Sequence, residues 1–435
     1  MSSTSAGARF RAALAADHGL ALSGAMRDLR GEPVSGATPA ALARFEQGLV
    51  LQLEGRGDPA SLAREATIEA PGFAMAHALE ACACLNLRDP AGGVRAMRAL
   101  ARFPGRPTLA RERLHFHGIA ALAHGDCEGA RHAYDRLLAE HPRDVLARQA
   151  AHSCDYHLGD AAALRDRPAW VRPAWSEADP GFHAVLSMHA FGLGECGDYA
   201  RAEEAGQRAL ELDPFDLRAH HAITHVLEML DRSSAGVRWM ASREKYWHDG
   251  GAVAGHLWWH LALHWLDEGE HARVLEILER RIGAGTGAPV SRLVDASSLL
   301  WRLGLAGVEA GARWQPLADC WESLPVEGAC AFNDLHAMMA YVGAGRRESA
   351  ARLRAAQREA VARGGLIGAV VRVAGLPACR ALEAFGRGAF AEAAAILGHL
   401  APVAHRMGGS RAQRAVLQLT RAAALRRGAT VLAAA

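Results

Sequence analysis

The chain has 435 residues, half of them apolar and 22% charged, with 49 basic against 47 acidic side chains and a formal charge of +2. This balance excludes intrinsic disorder and leaves no bulk electrostatic attraction to nucleic acid or to an anionic membrane. Abundant Ala, Leu, Arg and Glu favour helix, and there is ample apolar side chain for a core.

Residues 1–40 read as a lead, part helical and part flexible, without a continuous apolar signal region or cleavage signature. No run of about 18 apolar residues is expected to span a bilayer. Eight cysteines are scattered without a CxxC pair, which predicts buried, reduced thiols rather than a disulfide framework or zinc ribbon. These features together predict a cytoplasmic protein.

From 41 to 425 the pattern is that of one helical-repeat domain, and 426–435 reads as a tail. Gly-acid pairs stand at Gly125-Asp126, Gly159-Asp160, Gly197-Asp198 and Gly269-Glu270, with a related turn at Leu230-Asp231-Arg232. The intervals 125 to 197 and 197 to 269 are both 72 residues, each split 34 plus 38 by the turns at 159 and 231. That is the period of a helix-turn-helix repeat of tetratricopeptide type. Ala190, Gly197, Ala202, Ala209 and Pro214 stand where such a repeat places small residues, a turn and a helix stop. The unit at 111–144 matches through Gly118, Gly125, Ala130, Tyr134 and Pro142. Asp198 is expected to cap the second helix of its hairpin. The predicted fold is all-α, an α-solenoid of stacked helix-turn-helix repeats curled around a central groove.

Between the hairpins, 165–181 is Pro-rich and aromatic and predicts an ordered loop packed on the repeats. GAGTGAP (283–289) follows a helix and lacks a Lys-Ser/Thr, so it reads as an interhelical linker rather than a phosphate loop. Turns at Gly343-Ala-Gly345 and Gly386-Arg-Gly388 continue the rhythm. Gly408-Gly409-Ser410 opens a last helix, with Ser410 as N-cap. No Walker A, G-x-S-x-G, H-E-x-x-H or Rossmann fingerprint occurs.

Chemistry concentrates at 220–271, where eight of the 22 histidines fall: His220, His221, His225, His248, His256, His260, His264 and His271. Trp239, Trp247, Trp258, Trp259 and Trp265 share the window. His221, His225 and Glu228 have i, i+4, i+7 spacing and share a helix face, while His256, His260 and His264 advance by four. Both sets lie on the first helix of a hairpin, so they are expected to meet across the groove. Such a set can bind a divalent metal through His221, His225, Glu228 and His260. Without a metal, the same histidines can act as acid and base, with Glu228 orienting His221 or His225 and His256 or His260 as the partner. Packing alone is the third reading. Asp295 and Arg302 share a helix face seven residues apart, and Arg302 and Arg411 are candidates to hold an anion.

The segments AFGLGECGDYARAE, HHAITHVLEM, GHLWWHLALHWLDEGE, VDASSLLWRL, FNDLHAMMA, VAGLPACRAL and GGSRAQRAV resemble, in order, the bacterial branch of the tetratricopeptide-repeat-protein-38 family. The resemblance runs from about residue 110 to 425. It implies a helical-repeat fold and a shared site at His221, His225, Glu228, His256, Trp259, His260, Asp295, Arg302, Asp334 and His336. It departs from the family pattern at Gly194, Arg411 and Ala415, where the family has Glu, Asn or His, and Asp.

The sequence thus predicts a His/Trp-rich inner pocket that binds a small polar or anionic molecule, with acid/base catalysis on it as one use. His221, His225, Glu228, His256 and His260 carry the chemistry, and Trp258, Trp259, Asp295, Arg302, Asp334, His336 and Arg411 bind the ligand. The expectation is no cofactor, with a divalent metal as the alternative. A scaffold binding a peptide in the concave groove is the rival, and neither nucleic acid nor membrane is an expected partner.

Overall fold

The structure, a computed structural model, describes residues 26–434 except 87, 249, 250, 284, 286 and 326. Readings made for residues 1–25 lie outside the described residues. The helices of the first half are α1 (Pro39–Glu54), α2 (Pro59–Glu69), α3 (Ala74–Cys84), α4 (Pro90–Ala101), α5 (Ala110–Ala123), α6 (Cys127–Glu140), α7 (Val145–Leu158), α8 (Ala161–Val171), α9 (Phe182–Glu195), α10 (Tyr199–Leu212) and α11 (Leu217–Met229). There follow α12 (Ser233–Trp247), α13 (Gly251–Asp267), α14 (His271–Ile277), α15 (Val290–Leu305), α16 (Trp314–Glu322), α17 (Ala331–Gly343), α18 (Arg347–Arg363), α19 (Gly365–Val370), α20 (Leu376–Gly386), α21 (Phe390–Leu400) and α22 (Arg411–Ala434). Successive helices pack as antiparallel hairpins, the all-α helix-turn-helix solenoid organisation that the spacing predicts. The chain forms two compact units, Met1–Leu230 with Met240–Ala254, and Asp231–Trp239 with Gly255–Ala435.

The hairpin turns follow from backbone sterics. Gly125, Gly159, Gly197 and Gly269 sit at φ 77°, 68°, 86° and 76°, where a Cβ is disfavoured. Asp231 takes the equivalent place at φ 53°, the one non-glycine in that region among the described residues. The following acid often caps: Asp126 accepts from Gly129 N at 2.8 Å and Asp160 from Ala163 N at 3.0 Å. Asp198 does not cap α10 and instead pairs with Arg201 at 3.1 Å, a correction to the sequence expectation.

In the first unit, residues 26–38 are clamped by buried charge. Arg30 grips Glu46 at 2.7 Å and Arg111 reaches Asp28 at 3.2 Å. Arg111 also donates to Asp144 at 2.6 Å, and Glu112 accepts from the Ser35 amide and hydroxyl. Paired and hydrogen-bonded in this way, the buried charges meet the condition under which burial is tolerated. The stretch 165–181, read as a loop, is helical through Val171 and then makes a short 3-10 turn at Arg172–Ala174. Pro168 inside α8 cannot donate to the Leu164 carbonyl. Gly192 of α9 packs on that spot: a Cβ there would lie 2.3 Å from Leu164 carbonyl atoms. Trp175 does pack as expected, its indole N–H donating to the Pro142 carbonyl at 3.0 Å.

In the second unit, α15 packs on α17 and α22, and α17 on α20. Trp301 donates to Thr420 at 2.9 Å, and α22 runs on to Ala434, through the residues read as a tail. Gly365–Gly386 is long and apolar enough to cross a membrane by length and hydropathy alone. This differs from the sequence expectation that no such run exists; Arg372 and Arg380 interrupt the apolar residues along it. Its Val371, Ala374, Ala378, Cys379, Ala381 and Leu382 are fully buried in the unit's core. Gly408 and Gly409 adopt φ 73° and 79°, and a Cβ on Gly409 would lie 2.3 Å from the Phe332 ring. Ser410 accepts from the Gln413 amide at 3.2 Å, the expected cap.

Two buried polar features of this unit are structural. His264 is fully buried on α13, and burial pushes its pKa down to about 4, so it is neutral. Its ring lies over Gly236 of α12, where a Cβ would come within 2.4 Å of it. Asp334 of α17 accepts from the Gly328 amide and the Gln357 side chain, both at 3.0 Å. Burial nonetheless pushes its pKa up to about 7. The Cys379 thiol contacts the Asp334 carbonyl at 3.6 Å.

Two outcomes follow. Gly236→Ala should lower unfolding free energy by about 1–3 kcal/mol in urea titrations, with His264→Ala in the same chain recovering part of the loss. Asp334 holds its proton more tightly folded than unfolded, so its contribution is complete below about pH 4 and is lost as pH rises through about 7. Asp334→Asn should therefore flatten the stability profile between those values, a difference of up to about 4 kcal/mol.

Candidate functional site

In the first unit the site begins with a cap. Asp216 accepts from the Arg218 and Ala219 amides at 2.9 and 3.0 Å, which starts α11. Its other oxygen accepts from His183 Nδ1 of α9 at 2.9 Å, fixing α11 against α9. The i, i+4 spacing then sets His221 beside His225, with Nε2 atoms 2.9 Å apart and rings perpendicular at 4.4 Å. Phe191 of α9 stacks on His221 at 5.6 Å and meets His225 edge-on at 5.4 Å. Two neutral imidazoles so placed share one proton between their Nε2 atoms, or turn both lone pairs on one cation. A tetrahedral metal would ask for a nitrogen separation of roughly 3.3 Å, a small opening of the observed one. Glu228 is half-buried, three residues beyond His225. Phe191, Gly194, Glu195, Tyr199, Ala222, His225 and Met229 line a crevice with no room for a water molecule.

In the second unit, His256 Nδ1 lies 2.9 and 3.0 Å from the two carboxylate oxygens of Asp295 on α15. The carboxylate accepts, so the proton sits on Nδ1 and the Nε2 lone pair carries any ligation or base chemistry. Trp259 stacks on the His256 ring at 5.0 Å and 11°, and His260 meets His256 edge-on at 4.8 Å. Arg302 lies over Trp259 at 5.3 Å and donates to the Ala412 carbonyl at 2.7 Å and to Ser298. Asp295 and Arg302 thus serve the same α15 face, as the spacing predicts. Asp295 orients a histidine, and Arg302 ties α15 to α22.

Each unit carries a histidine pair with ring nitrogens able to serve as metal ligands, His221 with His225 in the first and His256 with His260 in the second. The sequence reading had Glu228 with His221, His225 and His260 as the metal ligands. Of the other expected ligand residues, Trp258 is buried under Arg281, whose guanidinium lies 4.5 Å above its ring. Asp334 belongs to the Gln357 and Cys379 cluster. His336 is fully buried, with Nδ1 2.7 Å from the Phe332 carbonyl one turn back. Arg411 is exposed at the start of α22. The histidine enrichment also divides. His220 binds the Pro214 carbonyl at 3.0 Å, His248 the Glu244 carbonyl at 3.1 Å, and His264 is core.

Residues that sequence reasoning missed cluster in the first unit. Phe191 and Glu195 lie within the quoted segment AFGLGECGDYARAE and were not singled out there. Arg148 and His152 of α7, four residues apart, have the spacing that flagged His221 and His225. They lie outside the histidine-dense window, so no enrichment drew notice to them. Arg218 precedes His221 by three residues on α11 and is half-buried.

No protein-family model matches the chain. Among solved structures it is similar to one titled "Crystal Structure of the Yeast Tom70", at 9% identity and a TM-score of 0.37, over 80% of this chain and 88% of that one.

Proposed function

We propose that this helical-repeat protein binds a divalent transition metal through its histidine pairs, His221 with His225 in the first unit and His256 with His260 in the second, and with it a small polar or anionic molecule. The observation that carries the reading is the 2.9 Å approach of the His221 and His225 Nε2 atoms, a chelating pair already formed on one helix. The His256–Asp295 bond supports it, because ligating histidines commonly give their other nitrogen to a carboxylate. Imidazole nitrogens select zinc, iron, nickel or copper over magnesium and calcium. Burial of His225 in the first pair and of His260 in the second limits competition from water.

A second reading has its own observation. Without a metal, His256 oriented by Asp295 is a general base of ordinary design, with the orienting role falling to Asp295 for this ring. Assignment to the bacterial branch of the tetratricopeptide-repeat-protein-38 family is part of the proposal and rests on the segments quoted above.

The metal reading is tested by elemental analysis of the purified chain, then zinc titration by calorimetry after chelation. Stoichiometric zinc is expected, with affinity falling as the solution is acidified because protons compete for the imidazoles. His225→Ala should abolish binding at the first pair without loss of helicity, and Asp295→Asn should weaken binding at the second by about 10- to 100-fold. Substoichiometric metal that is not retained after loading would refute the metal and leave the base reading. In that case His256→Gln should remove any activity found while His225→Gln spares it.

A further inference from the structure

The most unusual charge in the molecule is not at the histidine pairs but one helix away, on α7. The Arg148 side chain is 1% exposed. Its nearest carboxylate, Asp155, lies 3.4 Å from Nη2 and is held more closely by Arg167 at 2.5 Å, with Arg131 at 3.8 Å. The Arg148 Nε and Nη1 donors find no hydrogen-bond partner among the described residues. One turn on along the same face, His152 has a buried Nδ1 that also finds none. Burial pushes the His152 pKa well below its usual value, and the two charges that push it further are Arg148 and Arg218. Arg218 donates to the Gln52 and Leu53 carbonyls, both at 3.2 Å. Its neighbour Asp216 is already occupied by the α11 cap and by His183.

A guanidinium is not deprotonated to relieve burial, so donors left unmet there are costly unless an acceptor arrives. The positive potential around His152, from two arginines, says what kind of acceptor fits. We infer that Arg148, His152 and Arg218 form a binding site for a small oxyanion, the carboxylate or phosphate group of a ligand, on the first unit. Arg148 supplies the desolvated charge and its directional N–H groups, His152 a short neutral donor, and Arg218 the second charge. His152 packs edge-on against Phe191 at 5.9 Å, and the same ring contacts His221 and His225. An anion at Arg148 would therefore place the rest of its molecule along Phe191 toward that pair. Neither Arg302 nor Arg411, the arginines the sequence favours, is a buried guanidinium with unmet donors of this kind.

The inference deepens the ligand half of the proposed function but needs no metal, and its test separates the two. Full-length protein treated with chelator is titrated calorimetrically with inorganic phosphate and, separately, with acetate, at constant ionic strength in chloride. At least one of the two oxyanions should bind saturably, one per chain, and raise the thermal midpoint above the chloride control. Arg148→Met should weaken that binding at least ten-fold. Arg218→Met, at a half-buried position, should do the same and serves if Arg148→Met fails to fold. Binding by the metal-free chain supports the anion site whether or not zinc is later retained. Titrations indistinguishable from chloride for both oxyanions, or equal binding by wild type and the folded variants, would overturn it.

Discussion

Much of this architecture depends on a histidine of one hairpin meeting an aspartate of the next. His115 of α5 binds Asp144, which caps α7, at 2.7 Å; His183 of α9 binds Asp216, which caps α11, at 2.9 Å. In both cases one carboxylate starts a helix and ties it to the first helix of the hairpin before. Capping is worth about 1 kcal/mol, and the buried charge is tolerated because it is fully hydrogen-bonded. Arg111 joins the first such junction and carries it on to Asp28, so the N-terminal clamp hangs from the same carboxylate.

The second unit repeats the pairing in altered form. His256 of α13 binds Asp295, but Asp295 lies within α15 and caps nothing. The side chain of this histidine is 19% exposed, against 0% and 9% for His115 and His183. A link that elsewhere only builds the stack is here moved into the helix body, toward solvent and against Trp259. That shift is the physical reason for reading the His256 pair as a centre and the other two as scaffold.

The repeat organisation was legible because its determinants are local. A left-handed turn demands glycine, and the next hairpin restates it at a fixed interval. The i, i+4 neighbours on α11 and α13 were legible for the same reason, since helix geometry alone sets them together. What escaped was set by tertiary packing. Pro168 reads as a helix breaker, yet α8 continues because Gly192 lets another backbone cover the gap. His264, which the i+4 run sets in line with His256 and His260, is core. Arg148 gave no signal in a chain where arginine is the common cation. Only burial without an adequate counterion distinguishes it.

Asp334 has one more consequence. A carboxyl group that keeps its proton near neutrality inside the second unit, and gives it up when exposed, makes folding of that unit a proton-uptake reaction. Calorimetric unfolding enthalpies measured near pH 6 should then vary with the ionisation heat of the buffer, which must absorb what the melting protein releases. Heat of protonation thus becomes a spectator's view of that one interior oxygen.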